Sequence, residues 1–261
     1  MIKNIESALV KIKQENNVRI LYAVEAGSRA WGFASADSDY DVRFIYAHPE
    51  REYLRIDLPQ QTIERMEGEL DLAGWDLFKA LYLFRKSNPP LMEWLYSPIV
   101  YAENTPQIEV LRDIARQKYS SSAVFHHYSR MAFRNYRQYI LNKIKAGDTE
   151  VPLKKYLYVV RPMIALLYVE QYKQLPPTNF IETLKLVEID TATREAIHDL
   201  IDKKQAGHEL GLGPSIPVLN DFAEKHLYEW MEQDPEKDES ILTSDLDDIA
   251  SAILRERNIS S

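Results

Sequence analysis

The stretch GSRAWGFASADSDYDVRFIY, Gly27 to Tyr46, decides how this chain is read. Asp37, Asp39 and Asp41 alternate just before an apolar run, and ten residues separate Ser28 from Asp39. Upstream, VRILYAVEAG reads as a buried strand ending in glycine. In a strand, residues i and i+2 point to the same side, so Asp39 and Asp41 bring two carboxylates together. Left alone, that arrangement is electrostatically unfavourable and raises a pKa. A divalent cation reverses the sign, because hard oxygen ligands suit Mg²⁺. Glycine at the Gly27-Ser28 turn lets the main chain come close to a ligand, and amides at a helix start favour an anion such as phosphate. Ser28 adds a hydroxyl, and Gly32 allows a second close approach. One half of the stretch suits phosphate, and the other suits the metal that phosphate binds. Two-metal transfer calls for a third carboxylate.

Gly27-Ser28, ten residues, then Asp39-Tyr40-Asp41 resembles the signature of the DNA polymerase beta-like nucleotidyltransferase superfamily. The resemblance narrows when later segments are added: WDLFKALYLFRKSNPPLMEWLYSPIVY, HHYSRMAFRNYRQY and LKKYLYVVRPMIA. Together they look like the predicted nucleotidyltransferases found beside RNA ligases, over most of the chain. This resemblance implies that the Gly-Ser turn binds nucleotide phosphates, that Asp39 and Asp41 bind metal, and that a third acid lies on a later strand. Glu64, Glu67, Glu69 and Asp71 are the candidates. Asp71, in a strand just before a helix, is preferred, with Glu69 on the same face as runner-up.

Each residue also has an ordinary reading. Asp37 lies in Ser35-Ala36-Asp37-Ser38, a turn composition, and drops out of the metal set. Asp76 reads as a helix cap. Arg29, past the turn, could touch phosphate, and Arg43, on the carboxylate face, could pair with those acids or with a nucleotide. Surface ion pairing is the rival for both. Trp31 suits a core as well as a base stack, and Trp75 and Trp94 are expected to pack between two units. In HHYSRMAFRNYRQY, His126, Arg130 and Arg134 fall on one helical stripe with Arg137 near it, suited to a triphosphate or an RNA backbone. LKKYLYVVRP places Lys154, Tyr158 and Arg161 on another. Lys154 and Lys155 at a helix start oppose the macrodipole, which points to phosphate binding or to pairing with acids. Lys203, Lys204 and Glu209 precede a GLGPS loop and receive no role. His48, His198, His208 and His226 are scattered and assigned no metal.

Bulk properties set the frame. The 261 residues suffice for one large domain or two modest ones. There is no cysteine, which removes disulfides, thiolate zinc sites and cysteine nucleophiles. No signal-peptide core or membrane-length apolar window occurs, so a soluble cytoplasmic protein is expected. Net charge is −8, yet residues 111–175 carry 12 Lys+Arg against 4 Asp+Glu, leaving +8 there and −16 elsewhere. A basic middle in an acidic chain points to a local anion site.

The first hundred residues mix periods. A helix in IESALVKIKQ is followed by strands in VRILYAVE and DVRFIYAH, by a hairpin around Glu67-Gly68, and by a helix from Asp76 that the prolines stop. Beyond this, helical patterns cover 105–117, 121–145, 152–173, 191–204, 215–231 and 242–256. The expected fold is α+β: a small mixed-sheet nucleotidyltransferase domain over 1–103, then an all-helical domain over 104–261 with basic cleft-facing helices.

The expected activity is Mg²⁺- or Mn²⁺-dependent transfer of a nucleoside monophosphate from ATP or another NTP to a hydroxyl, releasing pyrophosphate. Asp39, Asp41 and Asp71 are both the catalytic and the metal-binding set. Gly27, Ser28, Arg29, Arg43, Arg130, Arg134, Lys154, Lys155, Tyr158 and Arg161 are the nucleotide-binding set. An RNA 3′ end is the first choice of acceptor and a protein hydroxyl the second. Membrane is excluded as a partner. A non-catalytic nucleotide- or RNA-binding module and a DxD glycosyltransferase are the rival readings.

Overall fold

The computed structural model describes residues 1–207, 210–236, 238 and 241–256, so His208 and Glu209 lie outside it. The protein is mixed α+β and divides into two compact units. Unit 1 holds residues 1–30, 38–119 and 239–261, and unit 2 holds 31–37 and 120–238. The expected single boundary near residue 103 differs from this in three places. A helix after it stays with the sheet, the C-terminal helix returns to the sheet, and the excursion 31–37 belongs to the helical unit.

In unit 1 the chain runs α1 (Ile2–Asn16), β1 (Arg19–Glu25), α2 (Gly27–Ala30), β2 (Tyr40–Ala47), α3 (Glu50–Tyr53), β3 (Thr62–Glu67) and β4 (Leu70–Asp76). It continues through α4 (Leu77–Arg85), α5 (Pro89–Leu95), β5 (Val100–Glu103) and α6 (Gln107–Lys118). The sheet order is β3-β4-β2-β1-β5, with β2 and β4 parallel and the other pairs antiparallel. The expected hairpin is present, with Gly68 at φ +63° in its turn.

Alternation builds two cores. Val42, Phe44 and Tyr46 of β2, with Leu70 and Leu72 of β4, pack on Ile5, Leu9 and Ile12 of α1. The opposite face carries Ile45, which lies with Leu77, Leu81, Phe84 and Leu95 of α4 and α5. Asp41 and Arg43 share that second face but are only half-buried, whereas Ile45 and Ala47 are buried. Helical cover therefore ends where β2 begins, and the carboxylate end of the face stays open.

Asp76 is buried and caps α4, accepting from the Phe78 amide at 3.0 Å and from the Tyr53 hydroxyl at 2.6 Å. The proline pair after α4 starts a helix rather than only stopping one. Asn88 caps α5 by accepting from the Leu91 amide, and Pro89 and Pro90 occupy its first turn, where no amide is needed. Trp75 and Trp94, expected to pack between two units, stack on each other at 3.9 Å within unit 1.

Unit 2 contains α7 (Ser121–Tyr136), a π turn (Arg137–Leu141), α8 (Asn142–Lys145) and β6 (Val151–Pro152). After these come α9 (Lys154–Tyr172), α10 (Phe180–Leu186), α11 (Thr191–Gln205), β7 (Leu212–Gly213) and α12 (Pro217–Glu232). The last helix, α13 (Thr243–Arg255), lies in unit 1. Pro162 sits inside α9 and has no N–H for the carbonyl of Tyr158. The side chain of Asn135 on α7 donates to that carbonyl at 3.2 Å, so the gap is filled from the neighbouring helix.

Among the described residues no helix is long and apolar enough to cross a membrane.

Candidate active site

Asp41 and Asp71 are paired positions in the parallel β2–β4 register and point to the same face. Arg43, two residues along β2, joins them: its Nη2 lies 2.9 Å from Asp41 Oδ1 and 2.8 Å from Asp71 Oδ2. Its Nη1 donates to the Asp71 carbonyl at 2.8 Å. Of the two expected uses of Arg43, the acid pairing is the one seen. Burial pushes the Asp41 carboxyl above its usual range. Arg43 opposes that shift, and the nearby Asp71 and Asp39 carboxylates add to it. This is a crowded anionic site balanced by one internal cation.

Gly27 forms the seat of Asp41. Its φ is +57°, and a Cβ built there would fall 1.8 Å from Asp41 Oδ2. The carboxylate thus occupies space that only glycine leaves open. Ser28 is half-buried in the same short turn. Arg29 turns back onto its own loop, donating to the carbonyls of Ser38 at 2.6 Å and Asp39 at 3.2 Å, and its guanidinium lies 3.7 Å from the Tyr40 ring centroid. It fixes the approach to Asp39, whose side chain is exposed.

The other acids near the hairpin separate. Glu67 pairs with Lys11 of α1 and Arg65, on the face away from Asp71. Glu64 is exposed on the Asp71 side of β3, opposite Ala73. Glu69 is exposed in the turn, where its carbonyl accepts from the Tyr40 amide at 2.8 Å.

Sequence reasoning passed over Glu25. It closes β1, is fully buried, accepts from the Asp41 amide at 2.7 Å and receives the Tyr101 hydroxyl. The signal was visible: a charged residue ends the run ILYAV within VRILYAVE, two positions before Gly27. Burial raises its pKa above the ordinary 4.5, while the bonds from Tyr101 and the Asp41 amide pull it down. A raised folded-state value means its contribution is fully present below the unfolded value and is lost as pH rises through the folded one. Glu25→Gln keeps the shape and removes the titration. The variant should therefore gain on the wild type as pH rises from 4.5. Urea midpoints across pH 4.5 to 8 check this; a gap that does not change with pH contradicts it.

In unit 2 the expected residues fall into separate groups. Lys155 lies 4.3 Å and 4.9 Å from the ring centroids of Tyr139 and Tyr158. Arg161 stacks at 4.0 Å over Trp31, and Lys204 lies 4.8 Å from the Phe33 centroid. Lys154 is exposed, and with Lys204 it helps hold the Asp37 carboxyl below its usual range, after the larger effect of the Ser35 hydroxyl. The excursion 31–37 is further fixed by Phe180 N–H to Trp31 O at 2.9 Å and Gln205 Nε2 to Gly32 O at 2.9 Å. Gly32, at φ +86°, leaves room for the Asn179 side chain rather than for a ligand. Arg130 and Arg134 line a groove with Arg137.

Asp39, Asp41 and Asp71 offer hard oxygens, the donor chemistry that suits Mg²⁺ or Mn²⁺. Among the described residues no three acidic or imidazole groups form a ready cage, and Arg43 already bonds two of these carboxylates. The donor chemistry suits a hard divalent ion, and the described residues by themselves do not complete its coordination.

The family described as "RNA repair pathway DNA polymerase beta family" matches residues 1–251. The chain is 40% identical over 233 residues to the uncharacterized protein YcgL of Bacillus subtilis (strain 168), covering 89% of this chain and 87% of that one. A nucleotidyltransferase-like protein from Exiguobacterium sibiricum 255-15, solved by crystallography, aligns with a TM-score of 0.34 and 11% identity. That alignment covers 87% of this chain and 78% of the other.

Proposed function

The chain belongs to the RNA repair pathway DNA polymerase beta family, and on that premise we propose that it moves a nucleoside monophosphate from an NTP to the 3′ hydroxyl of RNA. The observation that carries the reading is the in-register pair Asp41 and Asp71, with Asp41 seated on Gly27. Mg²⁺ or Mn²⁺, held by Asp39, Asp41 and Asp71, would neutralise triphosphate charge. Gly27 and Ser28 receive the phosphates. Asp71 orients the acceptor hydroxyl and draws its proton as the oxygen attacks the α-phosphorus. A new P–O bond forms, the bond to the β-phosphate breaks, and pyrophosphate leaves. Arg43 holds the two carboxylates in place before substrate arrives. Lys154, Lys155, Tyr158 and Arg161 of unit 2 are candidate contacts for an anionic substrate. The work is positioning and charge stabilisation, as in other phosphoryl transfers.

NTPs labelled at the α-phosphate, offered with RNAs whose 3′ ends are free or blocked, test the reading. Label entering only the free-ended RNA, with pyrophosphate release, is the expected result. Label that survives nuclease but not protease would move the acceptor to a protein hydroxyl. NTP binding without pyrophosphate release across all acceptors would make the chain a non-catalytic module.

A further inference from the structure

We propose that the groove along α7 and the following π turn binds single-stranded RNA by its phosphodiester backbone. This rests on the RNA-acceptor reading and assigns Arg130 and Arg134 to the acceptor rather than to the NTP. The groove measures ≈ 350 Å³ and is lined by Arg130, Phe133, Arg134, Arg137, Gln138 and Asn142, with Met231 opposite. Arg130, Arg134 and Arg137 are all exposed. Among the described residues none of the three guanidinium groups makes an ion pair, a hydrogen bond or a ring contact. Elsewhere in this chain arginines meet carboxylates readily: Arg43, Arg65, Arg112 and Arg116 each hold at least one. With 40 acids to 32 bases, composition alone does not produce three unpaired guanidiniums side by side. Their mutual repulsion on successive turns is a local cost that an anion removes.

The backbone adds a second observation. In a regular helix the residue one turn beyond Arg137 is Leu141. Here the Asn142 amide donates to the Arg137 carbonyl, an i to i+5 bond. The π turn therefore places Asn142 after Arg137 and extends the polar row with an amide. His126, one turn before Arg130, pairs with Asp234 at 3.4 Å and closes the other end.

The row spans about two turns, roughly 10 Å, which suits successive phosphates along a chain better than one compact anion. Phe133 supplies the second element of single-strand recognition. Its ring is half-buried, braced edge-on by Tyr228 at 6.1 Å, and lies in the groove wall between the arginines. Cations along a backbone with an aromatic ring for a base are the usual ingredients of single-strand binding.

The test measures fluorescence anisotropy of a labelled single-stranded RNA with the wild type and with Arg130→Gln/Arg134→Gln/Arg137→Gln. Circular dichroism checks that these exposed changes leave the fold intact. The expected result is at least a tenfold loss of RNA affinity. The slope of log affinity against log salt should flatten by about 2, as for three single-strand phosphates. Calorimetry with ATP and Mg²⁺ should give the same affinity for both proteins. Unchanged RNA affinity overturns the proposal, and so does a parallel loss of ATP affinity, which would make the groove a nucleotide site. Preferential loss of duplex over single-strand binding also overturns it. Repeating the binding on Asp41→Asn separates this claim from the acceptor reading. Groove-dependent RNA binding with no label transferred to RNA by the wild type leaves the groove standing and removes the acceptor.

Discussion

Asp41→Asn is expected to lower NTP-dependent transfer by about 10³-fold while leaving the fold at least as stable as the wild type. The two effects have opposite signs because the site is built against its own stability. Asp41 is pushed toward its neutral form by burial and by the Asp71 and Asp39 carboxylates. Asparagine keeps the shape, removes that repulsion and leaves Arg43 paired with Asp71 at 2.8 Å. On the proposed reading it removes a negative oxygen that would hold the cation balancing the triphosphate, and losing one such electrostatic contact costs about 10²–10³-fold. A direct contact to that cation belongs at the upper end of the range. Asp71→Asn should fall similarly. Glu69→Gln should stay within the scatter of an ordinary surface change, because only its carbonyl is engaged. Pyrophosphate release and urea midpoints, measured on the same preparations, check the pattern. Full activity in Asp41→Asn, or a loss of stability matching the loss of rate, would contradict it.

How far the sequence could be read depended on the range of the interaction. The alternation of β2, the hairpin at Gly68 and the cap at Asp76 are local, and local periodicity and cap chemistry reported them. Asp71 was reachable because a strand before a helix has a readable start, but its register against Asp41 depends on a parallel pairing across thirty residues. Arg43 illustrates the limit. Its face followed from the two-residue period, yet its bonding to both acids needed that register. Glu25 was missed for a similar reason: a buried glutamate is unfavourable until Tyr101 and the Asp41 amide are known to meet it. The compact units differ from the expected boundary because composition follows the chain, whereas α13 and the 31–37 segment are sorted by packing. The π turn was invisible, since one extra residue per turn leaves the apolar pattern of a long helix nearly intact.

Gly27→Ala should lower transfer by about 10²-fold and cost about 1–3 kcal/mol of stability. Two costs combine. At φ +57° a side chain meets its own carbonyl, which costs roughly 1–2 kcal/mol. The new methyl would also lie 1.8 Å from Asp41 Oδ2 and 2.7 Å from its Cγ, so one of them must move. The carboxylate has little freedom to yield in place. Its amide is held by Glu25 at 2.7 Å and its other oxygen by Arg43 at 2.9 Å. Displacement by about 1 Å is enough to lose 10²-fold in a reaction that depends on alignment. Gly68→Ala supplies the control. It has φ +63° and nothing within 4 Å of the added methyl, so it should show the backbone cost with activity intact. The activity difference between the two variants then measures the seat of Asp41 alone. Equal activity in both would show that the close approach of Gly27 to Asp41 is not needed for transfer.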